Sequence, residues 1–475
     1  MTTSKHIHLI GICGTAMASL AGMLKQRGFR VTGSDAAAYP PMSDFLASLG
    51  IPVSQPFSHA NLEPRPDLVV VGNAISRGNV ELECVLDAGM PLQSMAQVLH
   101  DEFLMDRERL VIAGTHGKTT TTSLVSWILH HAGRSPSFLI GGIPENFGSS
   151  FALGQGKEFV LEGDEYDTAF FDKGPKFLHY FPDAVILTSV EFDHADIYKN
   201  LDEVKTAFKR LVNLIPRRGV LIAWDGHPNV DECASRALCR VERYGFAKNS
   251  SWHISDVEYL PDETRWKLSR DGWEPAQLAF PLAGEYNVLN ATAAAALACH
   301  CGLTVRAITN ALREFRSVKR RLEVKAEIGG ITIIDDFAHH PTAIAQTLQA
   351  VRTRYPGRRI WAVLEPRSNT LRRAVFQHEL ANSLAVADQV ILADVFKSEA
   401  IPEGERLDPA AVVADLNAHG KPARLLLDAD AIVDAIAPEL RSGDVVAILS
   451  NGGFGGIYEK LPAKLKSLHE VTTTA

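Results

Sequence analysis

Long apolar runs are missing: nothing in the 475 residues approaches the length of a bilayer-spanning helix, so no membrane partner is expected. Cysteine is scarce. The six, at 13, 84, 233, 239, 299 and 301, form no CxxC pair. Such spacing offers neither a disulfide frame nor a zinc site, and reduced thiols in a cytoplasmic protein are the expectation. No basic lead followed by an apolar stretch opens the chain. MTTSKHIHLIGICG runs straight into a strand pattern, so no targeting segment is expected. Positive charge is not in excess either, with 48 Lys and Arg against 56 Asp and Glu, a net charge of −8. That speaks against a nucleic-acid partner and leaves room for a locally basic pocket. Repeats and low-complexity tracts are absent. The length exceeds one core and predicts about three domains.

The stretch 109–122, RLVIAGTHGKTTTT, carries the strongest chemistry. It reads as a strand over 110–113, a tight loop Gly114, Thr115, His116, Gly117, and a helix opened by Lys118, Thr119 and Thr120. A strand feeding a glycine loop into a helix N-terminus is an anion cradle, because N–H groups and the helix dipole both face the ligand. Lys118 adds a cation for a terminal phosphate, and the Thr119 hydroxyl can reach Mg²⁺. The first glycine of the strict P-loop pattern is missing: Ile112 stands there, so the loop is a shortened G-x-x-G-K-T. The plainer alternative is a turn with a chance Lys-Thr pair.

Residues 5–106 open on a strand over 6–10, the turn Gly11-Ile12-Cys13-Gly14-Thr15, a helix to about 27, and a strand over 29–32 that ends near Asp35. This is a Rossmann-like start, with Asp35 21 residues past Gly14. The fingerprint lacks its second glycine, at Cys13. That weakens a nicotinamide reading and leaves another diphosphate ligand. A strand over 67–71 ends at Gly72-Asn73, a polar strand exit of the kind that binds ligands in open α/β sheets.

Further strands, over 159–161 and 184–187, open into Glu162-Gly163-Asp164-Glu165-Tyr166-Asp167 and Glu191-Phe192-Asp193-His194-Ala195-Asp196. Carboxylates at such exits can hold Mg²⁺ opposite phosphates; alternatively they are caps or solvated loop charges. Alternating residues over 251–280, with a turn at Pro261-Asp262, predict a small antiparallel patch. An alanine-rich helix over 291–300 follows, with Asn287 and Asn290 near its start on one face. The basic run 318–322, with Arg321, could clamp phosphate or be a solvated linker. From 323 on, strands over 331–334, 360–364, 389–392, 425–427 and 445–449 alternate with helical stretches. They predict a second doubly wound sheet with a frayed tail from about 470. Its polar exits include Asp336 and His339, then Arg367, Ser368 and Asn369, then Ser450–Gly456 as a glycine-rich run.

Three α/β domains, with the phosphate loop in the middle one, suit the joining of two molecules at the expense of ATP. The order GTHGKTT (114–120), EGDEYD (162–167), EFDHAD (191–196), GEYNVLN (284–290), KRRLEV (319–324) and DDFAHHPT (335–342) resembles the Mur ligase family across nearly the whole chain. The resemblance implies three domains. Residues 1–107 would bind a UDP-sugar in a Rossmann-like fold. Residues 108–322 would form the central P-loop ATPase-type domain. Residues 323–475 would form a Rossmann-like domain for the incoming amino acid or peptide. It implies ATP and Mg²⁺ as cofactors, and a carboxylate activated as an acyl phosphate and attacked by an amine.

Carried over by position, Lys118 is the phosphate lysine and Thr119, Glu162 and His194 are the metal residues. Asn287 and Asn290 read adenine, Arg321 meets the ATP phosphates, and Asp336 meets the ribose. His339 faces the nucleotide-sugar, whose UDP part rests on Gly11, Gly14, Thr15, Asp35 and Asn73. HIHLIGICGTAM and DDFAHHPT are similar to the branch that accepts UDP-N-acetylmuramate. GSDAAAYPPMS (33–43), GNAISRGN (72–79), FFDKGPKF (170–177), LEPRSNTLR (364–372) and SNGGFGG (450–456) resemble the member that adds L-alanyl-γ-D-glutamyl-meso-diaminopimelate, the murein tripeptide, in peptidoglycan recycling. Arg367, Arg372 and Arg373 would then meet its carboxylates. The alternatives are the L-alanine-adding ligase of de novo synthesis and, more remotely, a regulatory P-loop ATPase. A monomer is expected, with hinges near 107–109 and 322–330.

Overall fold

A computed structural model describes residues 4–38, 42–260 and 262–474; residues 39–41 of the GSDAAAYPPMS run and Pro261 of the expected turn lie outside it. The chain forms two compact units, the first made of residues up to 191, 202–253 and 292–311. The second holds residues 192–201, 254–291 and 312–475.

The first unit begins with a five-stranded parallel sheet. Its strands are β1 (His6–Ile10), β2 (Arg30–Ser34), β3 (Val53–Ser54), β4 (Leu68–Val71) and β5 (Leu92–Ser94), in the order β3-β2-β1-β4-β5. β1 is buried along its whole length, with Ile7 opposite Val31 on one side and Leu68 on the other. The helix Thr15–Gln26 starts where β1 ends, after the glycine turn.

A second sheet follows. β6 (Glu108–Ala113) lies between β9 (Glu158–Gly163) and β12 (Ala184–Leu187). β7 (Ser137–Leu139) and β8 (Phe151–Ala152) extend it past β9, and β13 (Val220–Trp224) and β14 (Arg240–Gly245) extend it past β12. β8 alone among these is antiparallel. Leu110, Val111, Ile112 and Ala113 have no exposed surface, as a parallel strand covered on both faces requires. The hairpin of β10 (Asp167–Ala169) and β11 (Asp172–Pro175) reaches back to the first sheet, where Ala169 shares a core with Ile10, Val69, Val71 and Ile75. Phe151 also fills the space beside Gly22, where a Cβ would come within 2.7 Å of its ring.

The patch expected over 251–280 forms as three neighbouring strands, and it also joins the preceding sheet. β15 (Trp252–Tyr259) begins parallel to β14, with Tyr244 opposite Trp252. β16 (Thr264–Ser269) and β17 (Ala276–Phe280), in the second unit, form the antiparallel pair. Local alternation fixes strand identity; the pairing of Tyr244 with Trp252, eight residues on, sets the direction in which β15 joins β14.

The second unit is built on the order β18-β19-β23-β20-β21-β22. These are β18 (Glu323–Ile328), β19 (Ile331–Asp336), β20 (Ile360–Leu364), β21 (Gln389–Ala393), β22 (Ala423–Leu426) and β23 (Val445–Leu449). All neighbours pair parallel except β18 with β19. Along β20 the side chains alternate between two cores: Ala362 and Leu364 pack with Ile344, Leu348 and Leu380, while Trp361 and Val363 pack with Ile432, Ile436 and Ile457. The chain passes from β19 to β20, yet β23 lies between them. That reversal opens a crevice at the strands' carboxyl ends. The last helix, Ile457–Thr474, continues through the expected frayed tail. All six cysteines are free, and burial pushes the thiol of Cys13 up to about 11 and that of Cys301 up to about 12.

Candidate active site

β6 delivers its last apolar residue, Ala113, into the loop 114–117, and the helix Lys118–His131 starts behind it. Gly114 (φ +132°) and Gly117 (φ +79°) both have backbone angles that side chains resist, and a Cβ on Gly114 would come 2.1 Å from Thr188 Oγ1. The loop is strapped to the exit of β12. Thr115 N donates to Ser189 O (3.0 Å), His116 N donates to Ser189 Oγ (3.0 Å), and Glu191 N donates to Thr115 Oγ1 (2.8 Å). His116 Nε2 lies 3.0 Å from Glu191 Oε2. No side chain caps the helix at Gly117, so its first-turn N–H groups are left for an anion.

Lys118 Nζ donates to Gly114 O and to Glu165 Oε2, both at 2.8 Å. Burial alone would lower its pKa, but Glu165 with Asp164 and Glu162 raises it, so the ammonium stays charged. Thr119 Oγ1 lies 3.2 Å from Glu162 Oε2, and Gly141 N holds the other oxygen at 2.6 Å. Two hard oxygens this close fit Mg²⁺. Thr120 is buried.

His194, with φ +56°, belongs to the second unit. Beside it Asp193 is buried and accepts from Thr370 Oγ1 and from His194 N, each at 2.7 Å. Burial would raise its pKa, but His194, His339, His340 and the Thr370 hydroxyl hold it far below the carboxylate range. His339 Nδ1 donates to Phe337 O (2.9 Å), which leaves Nε2 as a lone pair; burial lowers its pKa. His340 accepts at Nδ1 from Thr342 N (3.2 Å) and donates from Nε2 to Phe192 O (3.2 Å).

The two neighbouring arginines of the basic run divide sharply. Arg320 donates to Asp335, Ser450 O, Gly452 O and Tyr458 Oη. The Arg321 guanidinium lies over the Phe337 ring, 5.2 Å from its centroid, with no hydrogen bond among the described residues, and its charge favours the ionised form of buried Asp336. Ser317, Arg320 and Leu322 all take positive φ, backbone strain concentrated where the Arg321 guanidinium is presented. Asp336 is the residue the resemblance assigns to the ribose. Its carboxylate is buried and accepts from Leu322 N (2.8 Å), Ala338 N (2.9 Å) and Thr347 Oγ1 (3.1 Å), so it braces the Arg321 loop.

Asn287 and Asn290 lie within the helix Glu285–His300, which starts six residues earlier than expected. Asn287 Nδ2 donates to Ala283 O (2.8 Å). Asn290 Nδ2 is buried with no partner among the described residues, a donor suited to a base edge.

In the β19–β23–β20 crevice, the Arg367 guanidinium lies 3.8 Å from the Phe396 ring centroid and 3.4 Å from Glu365 Oε1. Gly452 faces it so closely that any Cβ would clash. Ser368 Oγ accepts from Leu371 N (3.0 Å), and Asn369 Nδ2 donates to Asp196 (2.8 Å). Arg372 and Arg373 are partly engaged within the unit, while Nε of each has no hydrogen-bond partner among the described residues. Arg372 binds Asn369 Oδ1 (2.8 Å) and Phe396 O (3.3 Å), and Arg373 pairs with Glu405.

In the first sheet, Gly11 (φ +79°) donates to Ser34 O, while Gly14 and Thr15 are exposed at an uncapped helix start. Asp35 accepts from Cys13 N (2.8 Å) and so shapes this loop. Asn73 is exposed at the end of β4. Sequence reasoning gave no role to Glu165, Asp193, Thr370 or Glu365. The first two stood inside quoted acidic runs, but only the fold pairs them.

Models of known families match three successive stretches: the Mur ligase family catalytic domain over residues 6–107, the Mur ligase middle domain over 112–298, and the Mur ligase glutamate ligase domain over 320–452. The chain belongs to the Mur ligase family, a family of ATP-dependent ligases. Within it, the chain is 43% identical over 96% of its length to the UDP-N-acetylmuramate–L-alanyl-γ-D-glutamyl-meso-2,6-diaminoheptandioate ligase of Escherichia coli K12, 97% of which is covered. Identity to the UDP-N-acetylmuramate–L-alanine ligase of Burkholderia thailandensis is 34%, over 96% of this chain and 97% of the relative. The crystal structure of a murein peptide ligase from Psychrobacter arcticus 273-4 aligns with a TM-score of 0.74 and 36% identity, over 97% of this chain and 99% of that one.

Proposed function

We propose that this chain joins the amine of L-alanyl-γ-D-glutamyl-meso-diaminopimelate to the carboxyl of UDP-N-acetylmuramate, turning ATP into ADP and phosphate, in peptidoglycan recycling. The observation that carries this reading is the gap between 43% identity to the tripeptide ligase and 34% to the L-alanine ligase, both over nearly the full chain.

In this reading, residues 1–107 hold the nucleotide-sugar on the loop Gly11–Thr15 with Asp35 and Asn73 nearby. Residues 108–322 hold ATP, and residues 323–475 hold the tripeptide. The uncapped helix start and Lys118 take the ATP phosphates, Arg321 adds a second cation, and Asn290 with Asn287 reads the base. Thr119 and Glu162, with His194, would hold Mg²⁺, which when bound neutralises phosphate charge. The protein's own work is positioning and charge neutralisation, which dominate phosphoryl transfer to a carboxylate. The attacking amine must be neutral, and His339 Nε2, kept unprotonated by burial, is suited to accept its proton.

The test follows ADP release with each component left out. Ligation requires both UDP-N-acetylmuramate and the tripeptide for turnover, and Lys118→Ala lowers it about 100-fold or more. Phosphate release that ignores the carboxylate substrate would instead identify a regulatory ATPase.

A further inference from the structure

One buried titratable cluster takes no part in the chemistry above. His6 and His8 on β1, and Thr32 and Ser34 on β2, alternate onto one face of the first sheet, His8 directly opposite Thr32. The helix Val80–Asp87 brings Glu81 onto that face. His8 is 1% exposed, and Ser34 and Glu81 have no exposed surface. A carboxylate buried this deeply is costly unless it is well bonded. Glu81 Oε1 accepts from Ser58 N (2.9 Å) and Asn61 Nδ2 (2.5 Å), and Oε2 accepts from the Ser34 hydroxyl. His8 Nε2 faces the same oxygen at 3.6 Å. Burial would raise the Glu81 pKa, but His8, Ser34, Ser58 N–H and Asn61 hold it below the usual glutamate range.

These contacts fix a direction. An ionised carboxylate has no proton to offer, so the His8 Nε2 that faces it carries the N–H. A singly protonated His8 then accepts at Nδ1 from the Thr32 hydroxyl, 2.8 Å away. The Thr32 oxygen, having spent its hydrogen, accepts from His6 Nε2 at 2.9 Å. The hydrogen bonds run one way, from His6 through Thr32 to His8, whose Nε2 points at Glu81 from 3.6 Å, beyond hydrogen-bond length. At the far end Ser34 does double duty. Its hydroxyl is held by Glu81, and its carbonyl accepts from Gly11 N (2.8 Å) and Ile12 N (3.1 Å). The backbone of the glycine loop therefore hangs on the residue that Glu81 fixes.

We propose that Glu81 is the positioning residue of the nucleotide-sugar loop, acting through Ser34 on Gly11 and Ile12, with the His6–Thr32–His8 chain pointing at it. The inference rests on the reading that this loop receives UDP-N-acetylmuramate. Glu81→Gln keeps the size but removes the charge, and whichever way its amide turns, its NH₂ faces groups that donate to the carboxylate: Ser58 N–H and Asn61 on one side, the Ser34 hydroxyl and His8 on the other. It raises KM for UDP-N-acetylmuramate about tenfold, with kcat and KM for ATP within about twofold, as expected for loss of uniform binding. Ser34→Ala, which removes only the hydroxyl that Glu81 holds and keeps the carbonyl that Gly11 N and Ile12 N bind, moves KM in the same direction and carries the test alone if Glu81→Gln does not fold.

A second readout is the ¹⁵N spectrum of histidine-labelled protein, assigned with His6→Gln and His8→Gln. Both rings are Nε2–H tautomers in the wild type, and Glu81→Gln shifts the His8 pattern. Unchanged KM in the folded variants, or a bare Nε2 on His8 in the wild type, would overturn the proposal. Calorimetric titration of the wild type with UDP-N-acetylmuramate separates the two levels. No binding at all removes the loop's assignment, whereas binding that the variants reproduce unaltered removes only the role of Glu81.

Discussion

Adjacent arginines with the same charge do different work here. Arg320 is consumed by Asp335, two carbonyls and a tyrosine hydroxyl, while Arg321 rests on Phe337 with its donors unspent. Arg321→Ala therefore raises KM for ATP about tenfold at unchanged melting temperature. Arg320→Ala lowers the melting temperature, because it strips a buried carboxylate of its partner. Steady-state kinetics and calorimetry on the two variants separate the roles, and an exchange of phenotypes would contradict them. Sequence order alone reads both as members of one basic run. Lys118 and Thr119 were legible because their spacing from Gly117 is local geometry. The engagement of Arg372 and Arg373 was not, because Phe396 O and Glu405 come from chain more than twenty residues away.

At the scale of elements, the apolar runs over 110–113, 184–187, 360–364 and 445–449 emerged as strands because parallel strands buried on both faces need continuous hydrophobicity. Alternation alone did not give the direction of pairing, as at β15, which joins the preceding strand β14 in parallel. Asp388 shows how such elements are clasped. One of its oxygens accepts from Arg352 on the helix Pro341–Arg354 (2.9 Å) and from Ile360 N on β20 (2.8 Å). Burial would raise its pKa, but these two donors hold it below the ordinary aspartate value. A depressed carboxylate contributes stability that is fully present above the unfolded value of about 4 and lost as pH falls through the folded one. The stability gap between wild type and Asp388→Asn is thus widest near neutrality and closes below about pH 4. Urea titrations across that range would contradict the clasp if the gap stayed constant.

For the molecule as a whole, hinge positions were expected near 107–109 and 322–330 from resemblance. The first sheet and the β6–β14 sheet nevertheless share one compact unit, joined where Ala169 enters the core of Ile10, Val69 and Val71 and where Phe151 covers Gly22. A charge at this junction, as in Ala169→Asp, costs roughly 3–5 kcal/mol. It speeds proteolysis near exposed Met105, and unaltered cleavage would show that the junction carries no load.

The most direct test of the assigned chemistry is a competition. UDP-N-acetylmuramate, ATP and Mg²⁺ are mixed with equal L-alanine and L-alanyl-γ-D-glutamyl-meso-diaminopimelate, and the products are weighed by mass spectrometry. The account predicts UDP-N-acetylmuramoyl-tripeptide as the dominant product. A product bearing a single alanine would contradict it and make this chain the L-alanine ligase.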